Sequence, residues 1–294
     1  MNSVESVIYG KNVEKKFKNF KLHIDELKIP KGFTTALIGE NGAGKSTLLN
    51  ILSGVRMDGK GEIRYFDEQQ TLDKEEVIDR IGYTGPNSFF LPHWNVNQVR
   101  EVCSMLFDTF SNEKFDAFVK RLNIPMENKS VKALSDGNRM KLILSTAFCR
   151  ETDLLIMDEP ASPLDPLMRD MLCQLIREYI SEGNGEKSVL VSTHNIADME
   201  SITDYVIIMD NGTIVEQGFV EELREKYIIV KGEPEDLGKV EKYLMNVSKG
   251  KFGFEGMCIS NDMDKFAGVN VSFETPTLSQ ISIAIMREHT ALKG

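Results

Sequence analysis

Residues 39–47, Gly39-Glu40-Asn41-Gly42-Ala43-Gly44-Lys45-Ser46-Thr47, fit the pattern G-x-x-x-x-G-K-[ST] that wraps phosphate. Each residue type has a physical reason. Glycines let the backbone turn tightly, so that successive N–H groups point inward as an anion nest. A helix opening at Ser46 adds the partial positive charge of its N-terminus. Lys45 reaches the β- and γ-phosphates of a nucleotide, and the Ser46 hydroxyl is placed to ligate Mg²⁺. Gly39, Asn41, Gly42, Ala43, Gly44 and Thr47 complete the candidate ATP-binding loop.

A second constellation lies downstream. Leu154-Leu155-Ile156-Met157 is a short apolar run that delivers Asp158 and Glu159 at its C-terminal end. Ligands of α/β sheets bind at that end of a strand. Asp158 is a candidate Mg²⁺ residue acting through the ion's water shell, and Glu159 a candidate general base toward a water molecule. Taken alone, a strand ending in acids is an ordinary solvated terminus. Downstream of a phosphate loop it becomes a catalytic pair.

The elements that must position these residues follow from periodicity. Val4–Tyr9 and Phe20–Ile24 alternate apolar with polar, the period of antiparallel strands. Thr34–Ile38, Leu154–Met157 and Ser188–Ser192 are continuous apolar runs, the mark of strands buried on both faces. From about Val96 to Arg150 the apolar spacing turns helical, and a further helix is expected from roughly Pro166 to Ser181. Asp210-Asn211-Gly212 predicts a hairpin turn between Tyr205–Met209 and Thr213–Glu216. Beyond Gly218, strand-like runs at Tyr227–Val230, Met257–Ile259 and Val269–Phe273 alternate with helical ones. The last helix is expected near Pro276 with Thr275 as its cap. The fold class is therefore α/β, a phosphate-loop nucleotide-binding domain over residues 1–218. It has an antiparallel N-terminal β-subdomain and a helical insert at about 88–150, and residues 219–294 form a small accessory α+β domain.

Composition narrows the functional classes. The 294 residues carry 41% hydrophobic and 27% charged side chains, suited to a globular chain with a sizeable core. No apolar run approaches the roughly 18–20 residues that span a bilayer, and the N-terminus has no signal-like apolar segment. A cytoplasmic protein is the expectation, one that can dock on a membrane. The net charge of −10 weighs against nucleic acid as a partner. Cys103, Cys149, Cys173 and Cys258 form no C-x-x-C pair and read as buried apolar side chains.

What separates classes of phosphate-loop ATPase lies between the two motifs. Leu134-Ser135-Asp136-Gly137-Asn138, followed by a helical run, resembles the LSGGQ signature of ATP-binding-cassette (ABC) ATPases. The resemblance implies that Ser135, Asp136, Gly137 and Asn138 approach the γ-phosphate of ATP held by an opposite subunit. Asp136 and Asn138 depart from the usual Gly and Gln. Ala161-Ser162-Pro163-Leu164-Asp165 resembles the family's D-loop, implying that Asp165 contacts the dimer partner, with Pro163 stiffening the loop. His194 matches the switch histidine, implying contact with the γ-phosphate and orientation of the catalytic group. Phe17 falls where the family stacks an aromatic on adenine; Tyr9 and Phe20 are alternatives, and core packing is the rival reading. The family's glutamine after Ile81-Gly82-Tyr83 is replaced by Pro86, so Asn87, Ser88 or water would complete the Mg²⁺ shell.

The layout is similar to ATP-binding subunits of ABC-2-type exporters of Gram-positive bacteria, including exporters of antimicrobial peptides and phenol-soluble modulins. That resemblance implies a second ATP-binding subunit, identical or paralogous, and a separate transmembrane permease. It places the chain at the cytoplasmic face of the cell membrane. Phe89, Phe90 and Trp94 lie where the family forms a groove for the permease, or they pack beneath the helical insert. The contrasting class is a soluble ABC ATPase of translation or DNA repair. The single cassette, the lack of heptads and the acidic charge weigh against it. Leu134–Asn138 with His194 also weighs against a third option, a small-molecule phosphate-loop kinase.

Overall fold

A computed structural model describes residues 4–66, 75–85, 90–126 and 130–291. In chain order the strands of the first half are β1 (Ser6–Lys16), β2 (Lys21–Pro30), β3 (Thr34–Ile38), β4 (Lys60–Tyr65) and β5 (Ile81–Thr84). Interleaved with them are helices α1 (Lys45–Leu52), α2 (Glu75–Asp79), α3 (Val96–Leu106), α4 (Asn112–Arg121) and α5 (Asp136–Phe148). Then follow β6 (Leu154–Asp158), α6 (Pro166–Glu182), β7 (Ser188–Thr193), β8 (Tyr205–Asp210) and β9 (Thr213–Phe219). The C-terminal part comprises α7 (Val220–Lys226), β10 (Tyr227–Gly232), α8 (Leu237–Val240), β11 (Met245–Lys249), β12 (Phe254–Ile259), β13 (Val271–Glu274) and α9 (Leu278–Ala291).

The central sheet has the order β5-β6-β7-β3-β8-β9, parallel except for the antiparallel β8–β9 edge. Strands β3, β6 and β7 are buried at every residue, which is why they read as unbroken apolar runs. Alternate residues face opposite cores. Leu37, Ile156 and Leu190 pack with α1 and the three-stranded antiparallel sheet β2-β1-β4. Ile38, Met157 and Val191 pack with the large cluster that includes α5, α6 and α9 residues. Because β3, β7 and β6 are neighbours, their C-terminal ends lie side by side, and those ends carry the motifs.

The 96–150 region is helical as the apolar spacing predicts, with α3, α4 and α5 each opened by a polar side-chain cap at Asn95, Ser111 and Ser135. The hairpin turns on Asn211 and Gly212, both at positive φ, the pairing that matches strand twist.

A separate four-stranded antiparallel sheet, β11-β12-β10-β13, follows β9 and α7. One face encloses Val230, Val240, Phe254, Cys258 and Phe266. Ile229 and Met257 instead join the large core together with Leu278, Ile281 and Ala284 of α9. The final helix starts later than the sequence suggests. Its first residue is Leu278 and its cap is Thr277, not Thr275, because Thr277 and Gln280 close a reciprocal capping box. All four cysteines are buried. Among the described residues no helix is long and apolar enough to cross a membrane.

Candidate functional site

The phosphate-loop residues lie between β3 and α1, with Lys45 as the first residue of the helix. Gly42 and Gly44 sit at φ +88° and +104°, backbone that L side chains rarely adopt. A Cβ on Gly44 would meet the Phe20 ring at 2.8 Å, and one on Gly39 would meet the Met209 carbonyl at 2.5 Å. Glycine is thus required at three positions for reasons of space or torsion. The loop is also braced from behind, since the Gly212 N–H donates to the Ala43 carbonyl at 2.9 Å.

Phe17, Asn41, Gly42, Gly44, Lys45, Ser46, Thr47 and Glu159 line one open cavity of about 480 Å³, together with Phe20 and Glu40. Ser46 is exposed in it, whereas Lys45 is buried. Of the loop residues expected from the sequence, Gly39 and Ala43 stand behind this cavity and not on its wall. Phe17 is 42% exposed, enough to offer a ring face to a ligand. Its other neighbours are the Phe20 ring at 6.1 Å and the Arg56 and Lys15 cations at 5.3 and 5.6 Å from its centroid.

The charged centre is tightly connected. The Lys45 ammonium donates to the Gly39 carbonyl at 2.7 Å and more weakly to the Glu40 carbonyl at 3.3 Å. It also forms an ion pair with Glu159 Oε1 at 3.2 Å. Glu159 Oε2 meets His194 Nδ1 at 2.7 Å. Glu159 itself is at φ +49°, a left-handed conformation that costs a non-glycine residue about 1–2 kcal/mol. Its backbone N–H donates to Ser192 Oγ at 2.9 Å, and Ser192 Oγ donates to Asp158 Oδ1 at 2.6 Å. These bonds hold the torsion and aim both carboxylates.

Ser192 was not a candidate from sequence. Its signal comes from the strand pairing: Ser192 lies opposite Asp158 across β6–β7, two positions before His194. A buried hydroxyl opposite a buried carboxylate at the ends of two adjacent apolar strands is a bonded pair by necessity.

Asp158 is 1% exposed, and its Oδ2 has no hydrogen-bond partner among the described residues. A buried, unpaired carboxylate oxygen is costly unless something else meets it. It fits a hydrated Mg²⁺, with the exposed Ser46 hydroxyl as the second protein group. Tyr83, whose hydroxyl donates to Asn50 Oδ1 at 2.9 Å, is kept a neutral phenol. Burial, and secondarily the Asp158 charge, push its pKa up to about 12. The candidate Asn87, with Pro86, Ser88 and Phe89, lies outside the described residues.

The signature and D-loop residues sit elsewhere. None of Ser135, Asp136, Gly137, Asn138 or Asp165 lines the phosphate-loop cavity. Ser135 caps α5 by accepting the Asn138 N–H at 3.2 Å, and Asp136 points outward to Arg139 at 2.9 Å. A Cβ on Gly137 would come within 3.3 Å of the Pro163 carbonyl, so signature and D-loop adjoin. Asp165 caps α6 by accepting the Met168 N–H at 3.0 Å. Phe90 and Trp94 pack partly against the large core and also line a groove of about 310 Å³ with Val55, Ile78, Leu106 and Arg150. The packing reading of Phe90 and Trp94 is met, and a groove runs beside them.

The chain is similar to known proteins. The ABC transporter family model matches residues 22–162. The chain is 30% identical over 193 residues to the human ATP-binding cassette sub-family A member 10. That match covers 63% of this chain but only 12% of the human protein. It is 28% identical over 233 residues to the energy-coupling factor transporter ATP-binding protein EcfA1 of Staphylococcus aureus, covering 76% of this chain and 85% of the relative. The ATP-binding cassette MJ0796, solved as a dimer in a post-hydrolysis state bound to ADP and Pi, superposes with a TM-score of 0.62 at 22% identity. That superposition covers 72% of this chain and 98% of the solved one.

Proposed function

Since the chain contains an ATP-binding domain of the ABC transporter family, an ATPase, we propose that it powers a membrane exporter by closing on a second cassette around ATP. The observation that carries this reading is that Lys45 and Glu159 line one cavity, with His194 bonded to Glu159 from beside it, while the signature stays outside. A site so divided is completed by the signature of another chain. Residues 1–218 then form the cassette, with the helical insert at about 88–150, and residues 219–294 an accessory domain.

The chemistry follows from the bonds in place. ATP phosphates meet the N–H nest and draw the Lys45 ammonium from the Gly39 carbonyl and from Glu159. Glu159, released from Lys45 but still held by His194, accepts a proton from the water that attacks the γ-phosphorus, as the bond to the bridging oxygen breaks and ADP and phosphate leave. His194 fixes the carboxylate, and its exposed ring faces the γ-phosphate. Ser46 and, through water, Asp158 would hold a Mg²⁺ ion, which would neutralise charge on the phosphates. Phe17 stacks on adenine. Ser135, Asp136, Gly137, Asn138 and Asp165 act toward the partner's nucleotide. Two ATP molecules join the subunits, and charge repulsion after hydrolysis favours their separation, a ligand-biased two-state cycle.

The permease is a separate membrane-spanning subunit seated on the Phe90–Trp94 groove, which places the chain at the cytoplasmic face of the membrane. Aromatic residues in such a groove suit a protein partner. Export of peptide or drug-like cargo is supported by the likeness to ABC-2-type subunits, including the Glu274-Thr275-Pro276-Thr277-Leu278 tail.

Glu159→Gln tests the site. ATP binding is expected to persist while turnover falls about 10²–10⁴-fold and a nucleotide-bound dimer accumulates on gel filtration. Turnover at the parent rate overturns the assignment. Lys45→Ala is expected to weaken ATP binding itself, read by titration with a fluorescent analogue. Co-purification of a membrane protein in detergent supports the transport role, and association with ribosomes or DNA instead would refute it.

A further inference from the structure

The C-terminal helix makes polar contacts with two segments that lead away from the candidate site. At its N-terminal end the Leu278 N–H donates to Glu200 Oε1 at 2.9 Å, and Arg224 Nη2 donates to the same oxygen at 2.9 Å. Glu200 lies in the short segment that joins His194 to β8, where two single turns, Ile196–Asp198 and Glu200–Ile202, follow one another. A carboxylate at a helix N-terminus meets unpaired N–H groups and the positive end of the dipole, so this contact is directional. Helix α9 packs on residues 196–198, and Ile196, Met199 and Leu278 share the large core.

The other flank of the same segment is bonded to α6. Asp198 receives both a 3.0 Å contact to each carboxylate oxygen from Arg169 and a 3.1 Å bond from Asn195. Residues 195–202 are therefore clamped between the helix behind the D-loop and the N-terminus of α9. His194 is the residue at the mouth of this clamp.

At the C-terminal end of α9, His289 Nδ1 meets Asp210 Oδ2 at 2.7 Å. Asp210 is the last residue of β8, and two residues later Gly212 donates to Ala43 of the phosphate loop. One helix thus bonds the segment behind His194 with its first turn and the hairpin behind Ala43 with its last.

We propose that α9 is a strap across the hydrolytic site, in which Glu200 is a positioning residue for His194 and His289 a positioning residue for the phosphate loop. The inference rests on the proposed role of His194 toward Glu159 and the γ-phosphate. Glu200 touches no nucleotide. It fixes the chain that sets where the His194 ring can be. His289 acts on the loop that receives phosphate. The two ends of the strap therefore affect different kinetic constants, the first turnover and the second nucleotide affinity. Through this helix the sheet built from β10 to β13 gains control of hydrolysis.

The test uses the full chain and measures ATP hydrolysis against ATP concentration, fluorescent-analogue binding and thermal melting. Glu200→Ala is expected to lower kcat about tenfold with KM nearly unchanged. Glu200→Gln keeps an acceptor for the Leu278 N–H, so it is expected to recover part of the rate, and it carries the test if the alanine variant folds poorly. His289→Ala is expected to raise KM about threefold and weaken analogue binding with kcat preserved. Lower melting temperatures with both constants unchanged, or equal loss of both constants in both variants, overturn the strap. His194→Ala separates the two levels. If it hydrolyses ATP at the parent rate, the site reading fails; if it is slow while Glu200→Ala and Glu200→Gln match the parent, only the strap fails.

Discussion

At the scale of single residues, the centre depends on a hydroxyl. Ser192 Oγ accepts the Glu159 N–H and donates to Asp158, so one buried atom sets the torsion of Glu159 and the direction of the second carboxylate. Removing it leaves a buried N–H and a buried carboxylate oxygen unpaired. A hydrogen bond to a charged group contributes about 1.5–3 kcal/mol, so Ser192→Ala is expected to lose stability of that order. Its Mg²⁺ requirement for hydrolysis should also rise, because Asp158 can turn. An unchanged Mg²⁺ titration would separate Ser192 from the metal role proposed for Asp158. The sequence shows Lys45, Asp158 and Glu159 through motif and spacing. Ser192 is visible only once β6 and β7 are paired in register, since its chemistry comes from the neighbouring strand and not from its own run.

At the scale of elements, polar side chains at helix ends carry two duties. Ser135 and Asp165 satisfy the first turns of α5 and α6, which fixes the loops that the proposed dimer would present to a partner. Another contact joins the helical insert to the cassette. Arg121 at the end of α4 forms a two-pronged pair with Glu178 of α6 at 2.6 and 2.7 Å. The Arg121 hydrogen bond holds the Glu178 carboxyl below the usual carboxylate range. A depressed carboxylate adds stability that is present above its unfolded pKa of about 4.3 and is lost as pH falls through the folded value. Glu178 is half exposed, so the contribution is a small fraction of a surface pair's already small energy. Arg121→Ala is therefore expected to lower the melting temperature by no more than about 1 °C at neutral pH and low salt, with the difference vanishing in acid. Element boundaries show what local pattern can mislead. Thr275-Pro276 looks like a helix start, yet Thr277 has the matching Gln280 three residues on and takes the cap. Strand β11 escapes detection because its apolar face is only Met245 and Val247, both half-buried, too short an alternation to stand out.

At the scale of the whole molecule, the architecture brings the site together by adjacency. The phosphate loop, the Asp158–Glu159 pair and His194 come from three neighbouring parallel strands, a relation that apolar runs separated by helices already imply. How the C-terminal sheet joins the cassette was not legible, because it depends on Glu200, Asp210 and α9 meeting across long sequence separations. The four buried cysteines turn this geometry into a readout of unfolding. Burial pushes the Cys103 and Cys258 thiols up to about 11 and that of Cys149 up to about 12, and it raises Cys173 as well. Alkylation needs the thiolate, so the folded chain should ignore iodoacetamide near pH 8. Each label then dates the opening of one region. Cys258 belongs to the small C-terminal core, and the other three to the large one. Labelling along a urea gradient, read by mass spectrometry, should mark Cys258 before the others if residues 219–294 form the separate domain proposed. Simultaneous labelling of all four would instead mean that the shared packing of α9 makes the chain open as one unit.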